Sequence, residues 1–213
     1  HSSRSSLERL WFENIFLAEG TEIPLLDGTT QRIETLVDRA PVWVSGFDVS
    51  SLRVVPAKME MVRETGIKPC VEVVLDNGRS FTCTADHRIL TWFGYVEAGH
   101  LTPGMPLVPH REQFYRARKS GADSYSQVFQ PFDASWEQTH RMVARAIHGT
   151  LPAGYVVHHQ NERKRDNRPE NLVPMSRRWH STLTLTQHKD KIIASVRKHW
   201  QDPAARAAVG ART

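Results

Sequence analysis

The chain is short of the residues that staple or anchor a protein. Its 213 residues include two cysteines, Cys70 and Cys83, with no Cys-x-x-Cys spacing. Neither a disulfide framework nor a zinc knuckle is indicated, and a reducing, intracellular compartment is expected. No run approaches the roughly 18 apolar residues of a membrane span. The opening His1-Ser-Ser-Arg-Ser-Ser lacks the apolar stretch of a secretory signal. Together these absences predict a cytoplasmic protein with no membrane partner; no small-molecule cofactor is expected either.

What is present describes a chain with a core: 39% of residues are hydrophobic, and the length suits one ample domain or two small ones. The charge is unevenly spread. Residues 1–110 carry 10 Lys/Arg against 14 Asp/Glu, a balance of −4, whereas residues 111–213 carry 18 against 9, a balance of +9. A cationic half of this size suits the neutralisation of phosphates, although the same charge would also serve as a solvated surface.

The basic half holds the stretch with the most chemistry in it, Tyr155-Val-Val-His-His-Gln-Asn-Glu-Arg-Lys-Arg-Asp-Asn-Arg-Pro-Glu-Asn-Leu-Val-Pro-Met-Ser-Arg-Arg-Trp-His180. Two short apolar, β-branched runs, 155–157 and 172–173, flank a polar segment with turn chemistry, which reads as strand, loop, strand. Ser176 offers a capping hydroxyl to a helix opening at Arg177, so His180 falls in its first turn or just past it. Alternation along the first strand sends His158 and His159 to opposite faces, so that one can grip a metal while its neighbour faces a water.

This pattern resembles the HNH endonuclease family. Its ββα-metal motif reads His-His, a loop ending in Asn-x-x-x-Asn-Leu, and a last His or Asn in the helix, and residues 140–181 follow it closely. The resemblance implies that His158 and His180 are metal ligands and His159 is the general base, with Asn171 completing the catalytic set by holding the loop. It further implies a divalent metal ion, Mg2+ foremost with Mn2+, Zn2+ or Ni2+ as alternatives, double-stranded DNA as substrate, and a bacterial or phage-infected cell. Many family members carry Asp-Gly after His-His-x and Asn-Asn at the loop end. Here those places hold Asn161-Glu162 and Asp166-Asn167, departures that bear on loop conformation rather than chemistry. Arg163, Lys164, Arg165, Arg168, Arg177 and Arg178 are expected to contact flanking phosphates, whose geometry Arg matches bidentately.

Towards the N-terminus the chain becomes β-rich. Strand-like pieces flank Asp27-Gly28, a strong hairpin signal, and Val42-Trp-Val, Arg53-Val-Val, Val71-Glu-Val-Val-Leu, Ser80-Phe-Thr-Cys-Thr and Ile89-Leu-Thr-Trp follow at short intervals. Here Leu17-Ala-Glu-Gly-Thr-Glu-Ile resembles the opening block of the Hint (hedgehog/intein) fold. Asp76-Asn-Gly-Arg, Thr84-Ala-Asp-His87 and the run from Gly94 to Met105 resemble its second block, for coverage of residue 17 to about 109. In inteins the Thr-x-x-His pair polarises the scissile peptide at the first splice junction. Splicing needs a thiol or hydroxyl at the first position, and this chain has Phe16 there. It also ends Val-Gly-Ala-Arg-Thr213 without the His-Asn that closes an intein. The resemblance therefore implies a splicing-defective domain, with Thr84 and His87 as a vestigial Hint site, or one completed by a separate C-terminal Hint fragment.

Residues 110–132, with Arg111, Arg116, Arg118 and Lys119, read as a basic linker. A helix is expected over 135–148, capped by Ser135 or Asp133 and stopped by Gly149, with Met142, Val143, Ala146 and Ile147 as its apolar stripe and His140 and His148 as packing or surface residues. Beyond His180, Ile192, Val196 and Trp200 share a helical face while Lys189, Lys191, Arg197 and Lys198 lie elsewhere. This resembles the helical DNA-binding modules that trail phage HNH enzymes, and the same pattern also suits an amphipathic helix packed on the catalytic domain. The expected architecture is α+β: a tail (1–15), a mainly-β Hint-like domain (16–109), a basic linker (110–132), a ββα-metal HNH nuclease domain (133–185) and a helical DNA-binding tail (186–213). The expected function is that of a metal-dependent DNA endonuclease, a homing endonuclease of intein origin. The alternatives are an autoprocessing Hint protein and a non-catalytic DNA-binding protein.

Overall fold

A computed structural model describes residues 16–115, 124–186 and 188–189. They form an α+β fold in which most strands pair with a sequence neighbour across a short turn. β1 (Glu22–Pro24) and β2 (Thr30–Arg32) pair antiparallel around Asp27-Gly28. The Asp27 carboxylate accepts the Thr29 N–H at 2.9 Å, and Gly28 sits at φ 85°, a conformation glycine enters without steric cost. Space also demands glycine, because a Cβ there would lie 2.7 Å from the Cβ of Arg165 and 2.9 Å from its carbonyl oxygen.

β3 (Val42–Asp48) and β4 (Arg53–Met59) form the longest ladder, from Val42↔Met59 to Asp48↔Arg53, and bury Val44, Val54 and Ala57. β5 (Cys70–Val74) pairs with β6 (Ser80–Thr84), and β7 (Arg88–Thr91) with β8 (Gly94–Glu97). Cys83, Ile89 and Ala98 form a core cluster there, packed by Leu17, Val71, Val73, Phe81, Leu101 and Leu107.

The stretch expected to be a basic linker contains two strands. β9 (Glu112–Tyr115) and β10 (Tyr125–Gln130) join β11 (Ser135–Gln138) in a sheet of order β11-β10-β9. β10 does alternate, burying Ser126, Val128 and Gln130, but two of those three residues are polar, which hides the strand from a search for apolar alternation. Gln130 is fully buried and satisfied: its side-chain oxygen accepts the Val54 N–H at 2.8 Å, and its amide donates to the Val54 carbonyl at 3.1 Å and to Glu137 at 3.0 Å.

The expected helix starts later than Ser135. Residues 135–138 are taken into the ladder with β10, from Gln127↔Gln138 to Gln130↔Ser135, and α1 runs Thr139–His148 with Gln138 at its N-cap and no side-chain cap. Asp133 pairs with Arg53 instead, and Glu137 takes Arg53 at 3.1 Å and Arg145 at 2.8 Å. The helix stops as expected at Gly149, φ 75°, whose N–H donates to the Arg145 carbonyl at 2.9 Å. α1 buries Met142 and Val143 together with Thr139, His140 and Ala144, while Ile147 is exposed. The true stripe is thus turned from the expected one, because the face toward β10 and β4 includes two polar residues.

β12 (Tyr155–His159) pairs with β13 (Leu172–Ser176), and residues 177–186 are helical, here α2. The Ser176 hydroxyl accepts the Trp179 N–H at 3.3 Å, the cap expected of it. Among the described residues no helix is long and apolar enough to cross a membrane.

Candidate active site

The described residues divide into two compact units. One comprises residues up to Leu151 together with His159–Val173, the other Pro152–His158 together with residues from Pro174 onward. His159, Asn171 and the loop belong to the first; His158 and His180 belong to the second.

In the first unit the loop after His159 is tied by three side chains. Asn171 accepts the Asn161 N–H on Oδ1 at 3.0 Å and donates from Nδ2 to the Asp166 carbonyl at 2.7 Å and to Asn161 Oδ1 at 3.0 Å. Asn161 in turn donates to Asp166 Oδ2 at 2.7 Å and accepts the Arg163 N–H at 2.9 Å. Asp166 is 3% exposed and grips Arg168 with both oxygens, at 2.8 and 2.7 Å. Burial works to raise the Asp166 carboxyl, but the hydrogen bonds from Arg168 and Asn161 outweigh it and hold the group below its usual range. Glu162 adopts φ 62°, a left-handed conformation that costs a non-glycine residue roughly 1 kcal/mol or more.

His159 is 5% exposed. Its Nε2 lies 3.2 Å from Asn167 Oδ1, and its ring packs on His140 and Tyr125 with centroids 5.3 and 5.9 Å apart. Asn167 is held by its own donors: Nδ2 reaches Ser126 Oγ at 2.9 Å and the Arg165 carbonyl at 3.0 Å. Its main-chain N–H points at the Leu26 carbonyl, 2.6 Å away. Burial, with the neighbouring His159 and Arg141 adding to it, pushes His140 down to about 3, so this ring is neutral throughout the working pH range.

In the second unit His158, from β12, and His180, from the first turn of α2, meet edge to face with ring centroids 5.3 Å apart. Both are half-buried. Two imidazoles at this separation suit a divalent cation, and among the described residues no third His, Cys, Asp or Glu joins a cluster of metal-ligand type. Were a cation held by these two imidazoles, it would keep coordination positions for water and other oxygen ligands.

The basic residues fall into distinct groups. In the first unit Arg163 is exposed, Lys164 lies 5.3 Å over the Tyr125 ring, and Arg165 lies 4.3 Å over the Phe114 ring. Arg168 is committed to Asp166. In the second unit Arg177, Arg178 and Lys189 are exposed. Lys191, Arg197 and Lys198 lie outside the described residues, as do residues 1–15 and most of the expected tail.

Thr84 and His87 are both buried. The Thr84 N–H donates to the Phe16 carbonyl at 3.2 Å, and Lys68 lies 3.6 Å over the Phe16 ring. Burial lowers the His87 imidazole against an opposing pull from Asp86. Its Nδ1 has no hydrogen-bond partner among the described residues.

Sequence reasoning missed Asn167, Ser126, Asp166 and Tyr125 around the loop, and it left His140 as a packing residue. The Asp166-Asn167 pair is visible as a departure from Asn-Asn. Nothing local in the sequence connects it to Ser126 or His159.

A strand, a loop closed by asparagine, a second strand and a helix, carrying imidazoles at 158, 159 and 180, define a ββα nuclease motif. Residues 137–182 match the HNH endonuclease family, and the chain carries an HNH endonuclease domain there. It is 27% identical over 230 residues to a DNA gyrase subunit from Synechocystis sp., covering 93% of this chain and 21% of that protein. It is 35% identical over 88 residues to the replicative DNA helicase DnaB of Rhodothermus marinus, covering 41% and 9%. The chain therefore spans a small part of the length of either relative. Its fold is also similar to the crystal structure of a DnaB intein from Synechocystis sp., with a TM-score of 0.43 and 20% identity over 59% of this chain and 76% of that one.

Proposed function

We propose that the chain is a metal-dependent DNA endonuclease of the HNH type, a homing endonuclease joined to a splicing-defective Hint-like domain. The observation that carries this reading is the His158–His180 ring pair, one imidazole from a strand and one from the following helix, inside the segment that matches the HNH endonuclease family. His159 takes a proton from water as general base. The resulting hydroxide attacks phosphorus in line, and the bond from phosphorus to the 3′ oxygen breaks as that oxygen departs. His158 and His180 would hold a divalent cation, which when bound would supply positive charge against the negative charge that develops on the phosphate in the transition state. Phosphate and water ligands favour Mg2+ or Mn2+, while two imidazoles suit Zn2+ or Ni2+. Arg163, Lys164, Arg165, Arg177, Arg178 and Lys189 contact flanking phosphates of double-stranded DNA.

The test is to incubate the purified full chain with supercoiled DNA, with and without each of these four metals, and to sequence the new ends. Metal-dependent nicking or linearisation is expected. Intact DNA under every metal, with binding retained, would leave a non-catalytic DNA-binding protein.

The reading of residues 16–109 as Hint-like is supported by the hydrogen bond from Thr84 to the Phe16 carbonyl, which brings the Thr-x-x-His segment to the position where a first splice junction would lie. Phe16 offers no nucleophile for an acyl shift. The intact mass of the purified protein should therefore stay constant on prolonged incubation, and spontaneous cleavage beside residue 16 would revive the autoprocessing reading.

A further inference from the structure

We infer that Asn167 is the positioning residue for His159: its side-chain amide, oriented by Ser126 and the Arg165 carbonyl, holds the ring with its proton on Nε2 and its lone pair on Nδ1. The inference rests on the reading of His159 as the base, and it says which nitrogen of that base receives the proton of water.

An asparagine amide has an accepting end and a donating end, and which is which must be decided from its partners. Here the partners decide it. One end lies 3.0 Å from the Arg165 carbonyl oxygen, which can only accept, so that end is the NH2 group. The same nitrogen reaches Ser126 Oγ at 2.9 Å, and a hydroxyl can receive it. The other end, Oδ1, therefore faces His159 Nε2 at 3.2 Å and can only accept from it. An imidazole nitrogen that meets an acceptor carries hydrogen, and in a neutral imidazole the second nitrogen then carries the lone pair.

The arrangement cannot easily swap. Asn167 is 2% exposed and Ser126 8%, so a flipped amide would set oxygen against the Arg165 carbonyl with no water to relieve it. The backbone of Asn167 is pinned as well, its N–H shared between the Leu26 carbonyl at 2.6 Å and the Arg165 carbonyl at 3.1 Å. The rings of His140 and Tyr125 pack against His159, so the chain restrains the ring by packing as well as its tautomer. Nδ1 is thereby the basic nitrogen before substrate arrives.

The test reads the tautomer directly, by two-bond nitrogen–proton correlation spectra of the full-length protein labelled with 15N-histidine, near neutral pH without metal. The His159 signals are assigned by their loss in His159→Ala. The wild type should show the Nε2–H pattern, and Asn167→Ala should show a mixture of the two tautomers. The cleavage rate of Asn167→Ala should fall about 10- to 100-fold, with the KM for DNA and the metal affinity near wild type. A merely structural role would not move the tautomer. If Asn167→Ala does not fold, the wild-type spectrum and a Ser126→Ala variant, expected to loosen the same preference, decide the matter. An Nδ1–H ring in the wild type, or an Asn167→Ala protein with unchanged tautomer and rate, would overturn the inference. Full cleavage by His159→Ala would instead remove the base assignment on which it rests, and that result is read independently of the spectra.

Discussion

His159 and the His158–His180 pair differ in how much of their surroundings the protein has already specified. His159 is buried, hydrogen-bonded to an amide that is itself fixed, and packed on two rings. His158 and His180 are half-buried and touch ring to ring. The contrast is what the proposed roles require. A base must present one nitrogen in one direction before water arrives, whereas metal ligands can be drawn into final geometry by the cation they bind.

The strongest way to break the comparison is to remove each imidazole. His159→Ala should lose about 10²- to 10⁴-fold in cleavage rate with metal and DNA affinity retained, and added metal should not restore it. His158→Ala and His180→Ala should weaken metal binding, and higher metal concentration should recover part of their activity. Rates measured across a metal titration separate the two classes; equal rescue of all three variants would erase the distinction.

The next effect concerns stability. Asp166→Ala strips a buried carboxylate from Arg168 and Asn161 and should cost on the order of 3 kcal/mol, whereas His158→Ala should stay within about 1 kcal/mol. Urea denaturation of both variants checks this. A smaller cost for Asp166→Ala than for His158→Ala would show that the loop is not the more rigidly specified region.

A pH series sharpens the comparison further. Folded His140 resists protonation down to about 3, while an unfolded histidine takes up a proton near 6.5. Its contribution to stability is therefore fully present above about pH 6.5 and is lost as pH falls toward 3, at up to about 1.4 kcal/mol per pH unit. Urea midpoints at pH 7.5, 6, 5 and 4 should show this slope, and His140→Leu should flatten it. An unchanged slope in that variant would assign the acid sensitivity to other groups.

The smallest expected effect is a gain. Glu162→Gly relieves the left-handed conformation at φ 62°, and after the entropy lost by adding a glycine the net stabilisation should be below about 1 kcal/mol. A loss of stability on the same urea assay would mean that the Glu162 side chain contributes more than its backbone costs.

Much of this is legible in the sequence wherever the signal is local. The turn at Asp27-Gly28, the stop at Gly149, the cap at Ser176 and the meeting of His158 with His180 all follow from residues close in sequence or from a motif of fixed spacing. What escapes is set by distant partners. Ser135 to Gln138 form a strand because β10 offers a ladder to them, and β10 itself is concealed by the inward side chains of Ser126 and Gln130. Arg168 looks like a phosphate contact because the sequence shows its charge, and Asp166 two residues before it, but not the loop conformation that turns the two into a bidentate pair. Asn167 shows only as a departure in the loop, since its partner Ser126 lies 41 residues away.

The close approach of Gly28 to Arg165, and of the Leu26 carbonyl to the Asn167 N–H, has a bearing on how this chain could be cut and transplanted. Sequence resemblance suggests two cassettes, a β-rich carrier and a nuclease passenger, with a seam near residue 110. Packing sets the carrier's first hairpin against the passenger's histidine loop. A fragment excised at the seam would lose the nearer of the two acceptors for the Asn167 N–H and the wall behind Arg165, so a transplant that keeps the loop in shape has to carry the 25–29 turn with it.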